Sequence, residues 1–209
     1  RIIRIKINGK DRWVAVFGGG YNSGVNHNYG SAVFVMDLEN EGKLLKKIDI
    51  SDLSNSSGNI INSVPSDLTV ITANGTDKAN YSGAMVYSAD LEGKITKINL
   101  TDVNESGNVV STPTYKTTTL FDAQSGTNNG RYIYHDIEAT FNDDNNLWLY
   151  FGTGDMLKIE TKANTSNRIY GIKDKDFPNF KTINTVGTIS QCKTAPNCPS
   201  STDLGWYIN

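Results

Sequence analysis

The stretch that most constrains the fold is a pair of apolar runs, VYSADLEGKITKINL at residues 86–100, with a polar break between them. The break contains Gly93, and glycine adopts at no steric cost the positive φ angles that tight hairpin turns require. Apolar and polar side chains alternate after the break, with one slip at Lys97. Both runs contain β-branched residues, which favour a pleated, half-buried surface. This stretch therefore predicts a half-buried β-hairpin.

The same arrangement recurs on both sides of this hairpin, at residues 14–38 and 147–174. Each copy has an aromatic residue near the end of its first strand and an Asp or Asn at the end of its second strand. These pairs are Phe17 with Asp37, Tyr87 with Asn99, and Phe151 with Asp174. A repeated unit that cannot cover its own apolar faces is typical of a propeller or a solenoid.

We predict an all-β chain, a partial β-propeller with quinoprotein-like blades of four strands each. The approximate blades are residues 1–58, 59–128 and 129–189, and the tail 190–209 is expected to begin a further blade. Three blades do not close a ring, and an open stack leaves unpaired strand edges that invite aggregation. The chain is therefore expected to be part of a larger propeller.

Composition and charge exclude several classes of partner. The 209 residues carry a formal net charge of −2, and their Lys and Arg residues are scattered along the chain. Because no basic patch forms in the sequence, nucleic acid and anionic membranes are not expected partners. No apolar run reaches the ~20 residues that a membrane-spanning helix needs. The 19 glycines and ten tyrosines suit a β-rich domain with long surface loops.

Two cysteines, Cys192 and Cys198, lie close together in CKTAPNC. The favoured interpretation is a local disulfide that fixes a short loop, which implies an oxidising compartment. Closing so short a loop stabilises a fold by only about 2–3 kcal/mol on the loop-entropy model. Two free thiols are the alternative. A metal pair is disfavoured, because no histidine or further cysteine lies nearby to complete a tetrahedral set.

Six short motifs follow one another in a recognisable order. They are RWVAVFGGGYNS at 12–23, AVFVMDLENEGKLL at 32–45, the stretch 86–100, YFGTGDML at 150–157, IYGIKD at 169–174 and GWYIN at 205–209. In these motifs the chain resembles the C-terminal β-propeller domain of the type IV pilus biogenesis and tip-adhesin proteins, the PilY/PilC family. The motifs spread over nearly the whole chain, and their order is more specific than any one of them.

The resemblance implies a binding and assembly protein. Its expected role is in pilus assembly at the pilus tip or cell surface, supporting pilus extension, surface attachment and twitching motility. The expected partners are minor pilins or other pilus-tip proteins and a host or abiotic surface. The expected location is extracellular or on the cell surface, after export through the periplasm.

The family often carries an aspartate-rich calcium loop just upstream of its central motif. The corresponding stretch here, TANGTDKANYSGA at residues 72–84, has a single acid. Calcium prefers several oxygen ligands, usually including more than one carboxylate. A solvated turn is therefore the favoured interpretation. The candidate calcium ligands are the side-chain oxygens of Asn74, Asp77, Asn80 and Asp90, which Asp67 could join.

No catalytic motif is recognisable: the sequence lacks a nucleophile elbow, a P-loop and a zinc motif. In a strand, Asp136 and Glu138 would project on one side about 7 Å apart, opposite His135. Such carboxylates suit acid–base chemistry, but a polar strand lining a wet propeller channel is the favoured explanation. The chain is therefore not expected to be an enzyme.

Two other functional classes stay open. One is a fragment of a periplasmic quinoprotein dehydrogenase that uses pyrroloquinoline quinone, whose blades also carry glycine-rich turns before apolar strands. The missing vicinal cysteines and the absence of a regular Trp docking motif disfavour it. The other class is a lectin-like binding module.

The loop at residues 21–29 is the best candidate for a partner-binding surface. It is rich in Asn, Gly and Tyr, and binding residues usually lie on loops held by a rigid scaffold. An ordinary surface loop is the alternative. The candidate contact residues are Tyr21, Asn22, His27 and Tyr29.

Overall fold

The computed structural model describes residues 1–22, 29–51, 62–73, 77–123, 131–157, 166–180, 189–192 and 204–209. Within these ranges the chain forms thirteen β-strands and no α-helix. The all-β prediction is confirmed for this part of the chain. In the same ranges, no helix is long and apolar enough to span a bilayer.

The first sheet is a meander of four antiparallel strands. In both spatial and chain order they are β1 (Ile2–Ile7), β2 (Lys10–Gly18), β3 (Ala32–Asp37) and β4 (Lys43–Asp49). Asn8 and Gly9 join β1 to β2 with φ angles of 50° and 73°. Positive φ at both positions is the mark of a type I′ turn, whose twist matches that of the flanking strands.

The second sheet repeats this meander. Its strands are β5 (Thr69–Thr72), β6 (Gly83–Ala89), β7 (Lys94–Thr101) and β8 (Thr117–Asp122). The β6–β7 pair is the hairpin that residues 86–100 predict. It is in register from Gly83 opposite Thr101 to Ala89 opposite Ile95.

The third sheet has five strands. They are β9 (Glu138–Phe141), β10 (Leu147–Gly152), β11 (Ile169–Asp174), β12 (Ser190–Gln191) and β13 (Gly205–Ile208). The spatial order is β12-β13-β11-β10-β9, and β12 is parallel to β13 while the other pairs are antiparallel. Three successive sheets, antiparallel except for the β12–β13 pair, therefore follow one another along the chain.

The expected placement of the tail is corrected by this topology. Instead of starting a further unit, β13 pairs with β11 from Gly205 opposite Ile172 to Ile208 opposite Ile169. The contact also has an apolar component, because the rings of Tyr170 and Tyr207 lie 6.1 Å apart. The edge of β11 is thereby paired inside the third sheet.

The first strand of the third sheet is shorter than the sequence predicts. The alternation of apolar and polar residues over 132–141 predicts a strand with His135 on the same face as Ile133 and Ile137. The structure has β9 only at the end of this range, so Ile133 and Ile137 are buried whereas His135 is exposed. The segment before β9 instead contacts the second sheet, where the Ile133 amide donates a hydrogen bond to the Asp90 carbonyl at 3.3 Å.

The second sheet is buried on both faces. One face packs on the first sheet through Ala84, Val86, Ile98 and Leu100. The opposite face packs on the third sheet through Met85, Tyr87, Ala89, Ile95 and Phe121. Because successive residues of a strand point to opposite faces, β6 can serve both neighbours at once.

This double burial corrects the expectation of a half-buried hairpin. All eight residues of β7 are buried, including Lys97, Asn99 and Thr101. Polar residues at these positions do not face water, because a neighbouring sheet covers the face that would otherwise contact solvent. Their polar groups must therefore be satisfied inside the protein.

The first strands of the three sheets are tied together near one edge. The Arg1 guanidinium donates to the Leu68 carbonyl at 2.9 Å and lies 3.4 Å from the Asp136 carboxylate. The Thr69 hydroxyl donates to the Ile137 carbonyl. Residues next to β1, β5 and β9 thus meet, so the three sheets converge at the edge where each begins.

The outward faces of the first and third sheets keep large apolar side chains in contact with solvent. On the first sheet these include Ile2, Trp13 and Phe17, and Trp13 is 50% exposed. On the third sheet they include Ile169 and Ile208. Large apolar side chains exposed on one face of a sheet are typical of a surface that another part of a protein covers.

Gly93 gives a direct test of how the β6–β7 turn packs. Its φ angle is +90°, and a Cβ at this position would lie 2.6 Å from the Arg131 carbonyl oxygen. We expect Gly93→Ala to lower the free energy of unfolding by about 2–4 kcal/mol, measured by urea denaturation followed by circular dichroism. The matched control is Gly9→Ala, where φ is +73° and nothing lies within 4 Å of the added carbon. That control should cost about 1 kcal/mol, and equal losses would contradict the packing described.

Candidate functional site

The loop predicted to bind a partner lies at the end of the sheets where the β6–β7 turn is found. The Gly20 amide donates to the Val64 carbonyl at 2.9 Å, and the Val64 amide donates to the Gly30 carbonyl at 3.1 Å. Both ends of the loop are therefore fixed to the segment that enters the second sheet. This anchoring holds the neighbouring side chains at a defined place on the surface.

Three of the four predicted partner-binding residues are described, and the structure brings them together. The Asn22 side-chain amide donates to the Tyr29 carbonyl at 3.2 Å. Tyr21 and Tyr29 are both exposed, and Tyr29 is 65% accessible. His27 lies outside the described residues. The described ends of the loop thus present two exposed tyrosines, Tyr21 and Tyr29.

Tyr21 is part of a group of rings that the sequence did not reveal. Its ring centroid lies 6.3 Å from that of Tyr134, which lies 6.3 Å from that of Tyr132. These three residues form what we call the tyrosine cluster. Tyr21 lies between β2 and β3 of the first sheet, and the other two residues precede β9 of the third sheet, so the cluster spans two sheets.

A cavity of about 310 Å³ opens beside the tyrosine cluster. Seven of the described residues line it: Tyr134, His135, Gly152, Thr153, Gly154, Asp155 and Met156. The Asp155 carboxylate accepts a hydrogen bond from the Leu157 amide at 3.0 Å, and the Gly154 amide donates to the Tyr132 carbonyl at 2.9 Å. Sequence reasoning singled out YFGTGDML as a motif but assigned it no site. The signal that could have found the cavity is the acid that follows the glycines at the end of β10.

Asp155 brings a carboxylate to the cavity, and this carboxylate acts on the neighbouring phenols. Burial raises the pKa of Tyr134 to about 12, with further contributions from Asp155, Tyr21 and Tyr132. Burial likewise raises the pKa of Tyr132, and the Asp155 carboxylate adds to it. Both phenols stay neutral at physiological pH, and both lie within the field of the same carboxylate.

Beneath this surface the β6–β7 turn is held by a buried polar network around Asp90, a residue with no exposed surface. The backbone amides of Glu92 and Lys94 donate to one carboxylate oxygen, Oδ1, at 2.9 and 3.0 Å. The Asn62 side-chain amide donates to the other oxygen, Oδ2, at 3.1 Å, and also contacts the Glu92 carboxylate. The turn is thus stabilised by its own carboxylate and by the segment that leads into the second sheet.

Lys94 extends the network to the first sheet. Its ammonium lies 3.8 Å from Asp90 Oδ2 and donates to the Ile50 carbonyl at 2.8 Å. Despite this partner and the hydrogen bonds, burial raises the pKa of Asp90 to about 7. The carboxyl at the centre of the turn therefore titrates near neutrality.

Among the candidate calcium ligands that the structure describes, Asp90 lies apart from Asp77 and Asn80. Asp90 follows β6, whereas Asp77 and Asn80 precede it, so the length of a strand separates them. Asp90 is also already surrounded by hydrogen-bond donors, so it cannot complete a site in the upstream loop. Asn74 lies outside the described residues, and a calcium ion bound by this loop stays a prediction. Among the described residues, no group of three or more His, Cys, Asp or Glu could hold a metal ion.

A second buried polar group joins the second sheet to the third. The Lys97 ammonium lies 2.6 Å from an Asp174 carboxylate oxygen, and neither side chain is exposed. The Tyr87 hydroxyl donates to the same oxygen at 2.7 Å, and the amides of Asp176 and Phe177 donate to the other. Burial lowers the pKa of Lys97, while Asp174 opposes the shift. The contact is structural, because it lies between sheets and away from solvent.

The carboxylates weighed for acid–base chemistry do not share a strand. Asp136 precedes β9 and pairs with Arg1 at 3.4 Å, and Glu138 is the first residue of β9. The pair expected on one strand face is therefore not formed as predicted. His135, although it lines the cavity, is an exposed residue.

The predicted disulfide cannot be located in the described part of the chain. The Cys192 amide donates to the Tyr207 carbonyl at 2.8 Å, next to β12. Cys198 lies outside the described residues, so the pairing of Cys192 with Cys198 stays a prediction.

Comparison with known proteins gives one functional direction. A curated relative is the type IV pilus biogenesis factor PilY1 homolog of Xylella fastidiosa strain Temecula1, 27% identical over 218 aligned positions. The chain is a distant relative of a pilus biogenesis factor. The alignment covers 94% of this chain but 14% of the relative, so the chain spans about one seventh of that protein's length. No protein-family model matches the chain, and no solved structure matches it.

The Asp90 network predicts a pH-dependent stability. Because the pKa of Asp90 rises from 3.8 to about 7 on folding, the folded protein keeps a proton that the unfolded chain has released. The associated stability is complete below pH 4 and is lost as the pH rises through 7. Between pH 5 and 8, we expect the unfolding free energy of the wild type to fall by roughly 2 kcal/mol more than that of Asp90→Asn. The unfolding free energies of both proteins are measured by urea denaturation at each pH. If they change with pH by the same amount, the raised pKa is not that of Asp90.

Proposed function

We propose that this chain forms part of the β-propeller of a type IV pilus biogenesis factor that supports pilus extension, surface attachment and twitching motility. The observation that carries the proposal is the 27% identity to a PilY1 homolog across nearly the whole chain. The relative is named for pilus biogenesis; adhesion and twitching come from the resemblance of the ordered motifs. The protein acts by binding and is not an enzyme.

The sheet arrangement supports a propeller. Three antiparallel sheets follow one another, the middle sheet is covered on both faces, and the first strands converge near Arg1, Leu68 and Asp136. In a ring of blades each sheet has two neighbours. The exposed apolar faces around Trp13 and Ile169 are then the places where further sheets of the same polypeptide pack. A structure of the longer protein in which loops cover these faces would contradict the ring.

The proposed partner surface lies at the end of the sheets that carries the β6–β7 turn and the loop at residues 21–29. Tyr21, Asn22 and Tyr29 lie together there, and exposed tyrosines supply large contact areas at a small cost in conformational entropy. The loop is anchored at Gly20 and Gly30, so its contact residues are held by the scaffold. We propose minor pilins or other pilus-tip proteins as the partners, and a host or abiotic surface as the target of attachment.

Two further properties belong to the same proposal. The protein is exported through the periplasm to the pilus tip or cell surface, where an oxidising environment would allow Cys192 and Cys198 to pair. We also propose that the loop that holds Asp77 and Asn80 could bind a calcium ion. Further coordinating residues would then come from outside the described residues.

The functional test is genetic and uses the bacterium that encodes this chain. Deletion of the gene should abolish surface pili and twitching. A chromosomal double substitution, Tyr21→Ala with Tyr29→Ala, should leave the protein folded and exported but reduce attachment and twitching, because the side chains removed are solvent-exposed contact residues. Piliation is counted by electron microscopy, attachment by retention on glass, and twitching by colony expansion.

One control variant and the deletion strain separate the outcomes. Val109→Ala removes an exposed apolar side chain, 79% accessible, in the loop between β7 and β8 at the opposite end of the sheets. It should leave all three measurements unchanged. Normal pili and twitching in the deletion strain would overturn the pilus role. A double variant that behaves as the wild type would overturn only the assignment of the loop.

A further inference from the structure

The cavity beside the tyrosine cluster combines aromatic rings and a carboxylate in one recess. We propose that this cavity binds the guanidinium group of an arginine side chain presented by a partner polypeptide. The inference goes beyond the pilus role, and it is tested with the protein alone.

The dimensions and lining of the cavity suit one long side chain. Its volume of about 310 Å³ lies at the small end of ligand pockets, which commonly occupy roughly 300–1,000 Å³. Tyr134 supplies an aromatic wall, and the centroids of the Tyr21 and Tyr132 rings each lie 6.3 Å from that of Tyr134. Gly152 and Gly154 line the cavity with backbone and leave it open. A flat, narrow group can therefore enter beside the rings.

The charge of the lining selects a cation. Asp155 lines the cavity, and its field acts on both Tyr132 and Tyr134. Among the described residues, no lysine or arginine lines the cavity. A ring face is electron-rich and attracts cations within about 6 Å of its centroid. Rings and carboxylate therefore favour the same sign of charge in the ligand.

Arginine fits this combination better than other ligands of the same size. Its planar guanidinium stacks on an aromatic ring while its donors pair with a carboxylate, and its charge persists at all physiological pH values. Lysine carries a compact, strongly hydrated charge that stacks less well. A phosphate or carboxylate ligand would meet the repulsion of Asp155. A neutral sugar could stack on Tyr134 but would make no use of the charge.

The test compares two small ligands that differ in charge but not in shape. Nα-acetyl-arginine methylamide is titrated into the folded chain carrying isotopically labelled tyrosine, and the ring resonances are followed by NMR. The matched ligand is Nα-acetyl-citrulline methylamide, in which a neutral urea replaces the guanidinium. We expect the arginine ligand to shift the resonances of Tyr21, Tyr132 and Tyr134 and to bind at least about fivefold more tightly than the citrulline ligand.

Substitutions then assign the contacts. Asp155→Asn should weaken arginine binding about threefold or more and bring its affinity close to that of citrulline. Tyr134→Phe keeps the ring face and should retain binding, whereas Tyr134→Leu should weaken it about threefold. The matched control is Asp144→Asn, which removes an exposed carboxylate from the turn between β9 and β10 and should change nothing.

The outcomes decide the proposal without reference to pili. Equal affinities for arginine and citrulline ligands would overturn it, as would unchanged binding by Asp155→Asn in a protein with a native spectrum. Ring shifts confined to Tyr115, at the other end of the sheets, would place the binding elsewhere and also overturn it. A neutral oligosaccharide that shifts the cluster while arginine does not would assign the cavity to a sugar instead.

Discussion

The burial of the second sheet on both faces is the constraint on which the rest of the structure depends. Ala84 and Val86 face the first sheet, and Met85 and Tyr87 face the third, so one strand contributes to two cores. A sheet of this kind has no wet side, and burying its apolar area stabilises the fold by about 25 cal/mol per Å². The first and third sheets each have one such contact, and their other apolar faces remain exposed. The architecture therefore implies stacking of similar units.

Burial of the two central strands of this sheet on both faces also explains where the polar groups go. Lys97 on the second sheet pairs with Asp174 on the third, and Tyr87 donates to the same carboxylate. Removing one partner of a buried ion pair typically costs roughly 3–5 kcal/mol, because the other charge is left uncompensated. Such a contact tolerates only one relative placement of the two sheets. In the β6–β7 turn, Asp90 likewise fixes the local structure, because its buried carboxylate accepts hydrogen bonds from the backbone amides of Glu92 and Lys94.

The sequence patterns predicted the strands well and their surroundings less well. The hairpin at 86–100 was found because alternation and turn residues act locally. Alternation alone cannot reveal that a polar position such as Lys97 is covered by another sheet. The pairing of β13 with β11 and the exposure of His135 were missed for the same reason, since both depend on distant segments. The tyrosine cluster was missed because its rings come from separate parts of the chain.

Native-state hydrogen exchange tests the central claim most directly. If the second sheet is covered on both faces, the amides of Val86 and Ile98 should exchange only through global unfolding, with a free energy equal to that from urea denaturation. Amides of β4, an edge strand of the first sheet, should exchange at a lower free energy through local opening. Exchange of β6 and β7 at the same low free energy as β4 would contradict a doubly covered sheet, and with it the stacking of units on which the account rests.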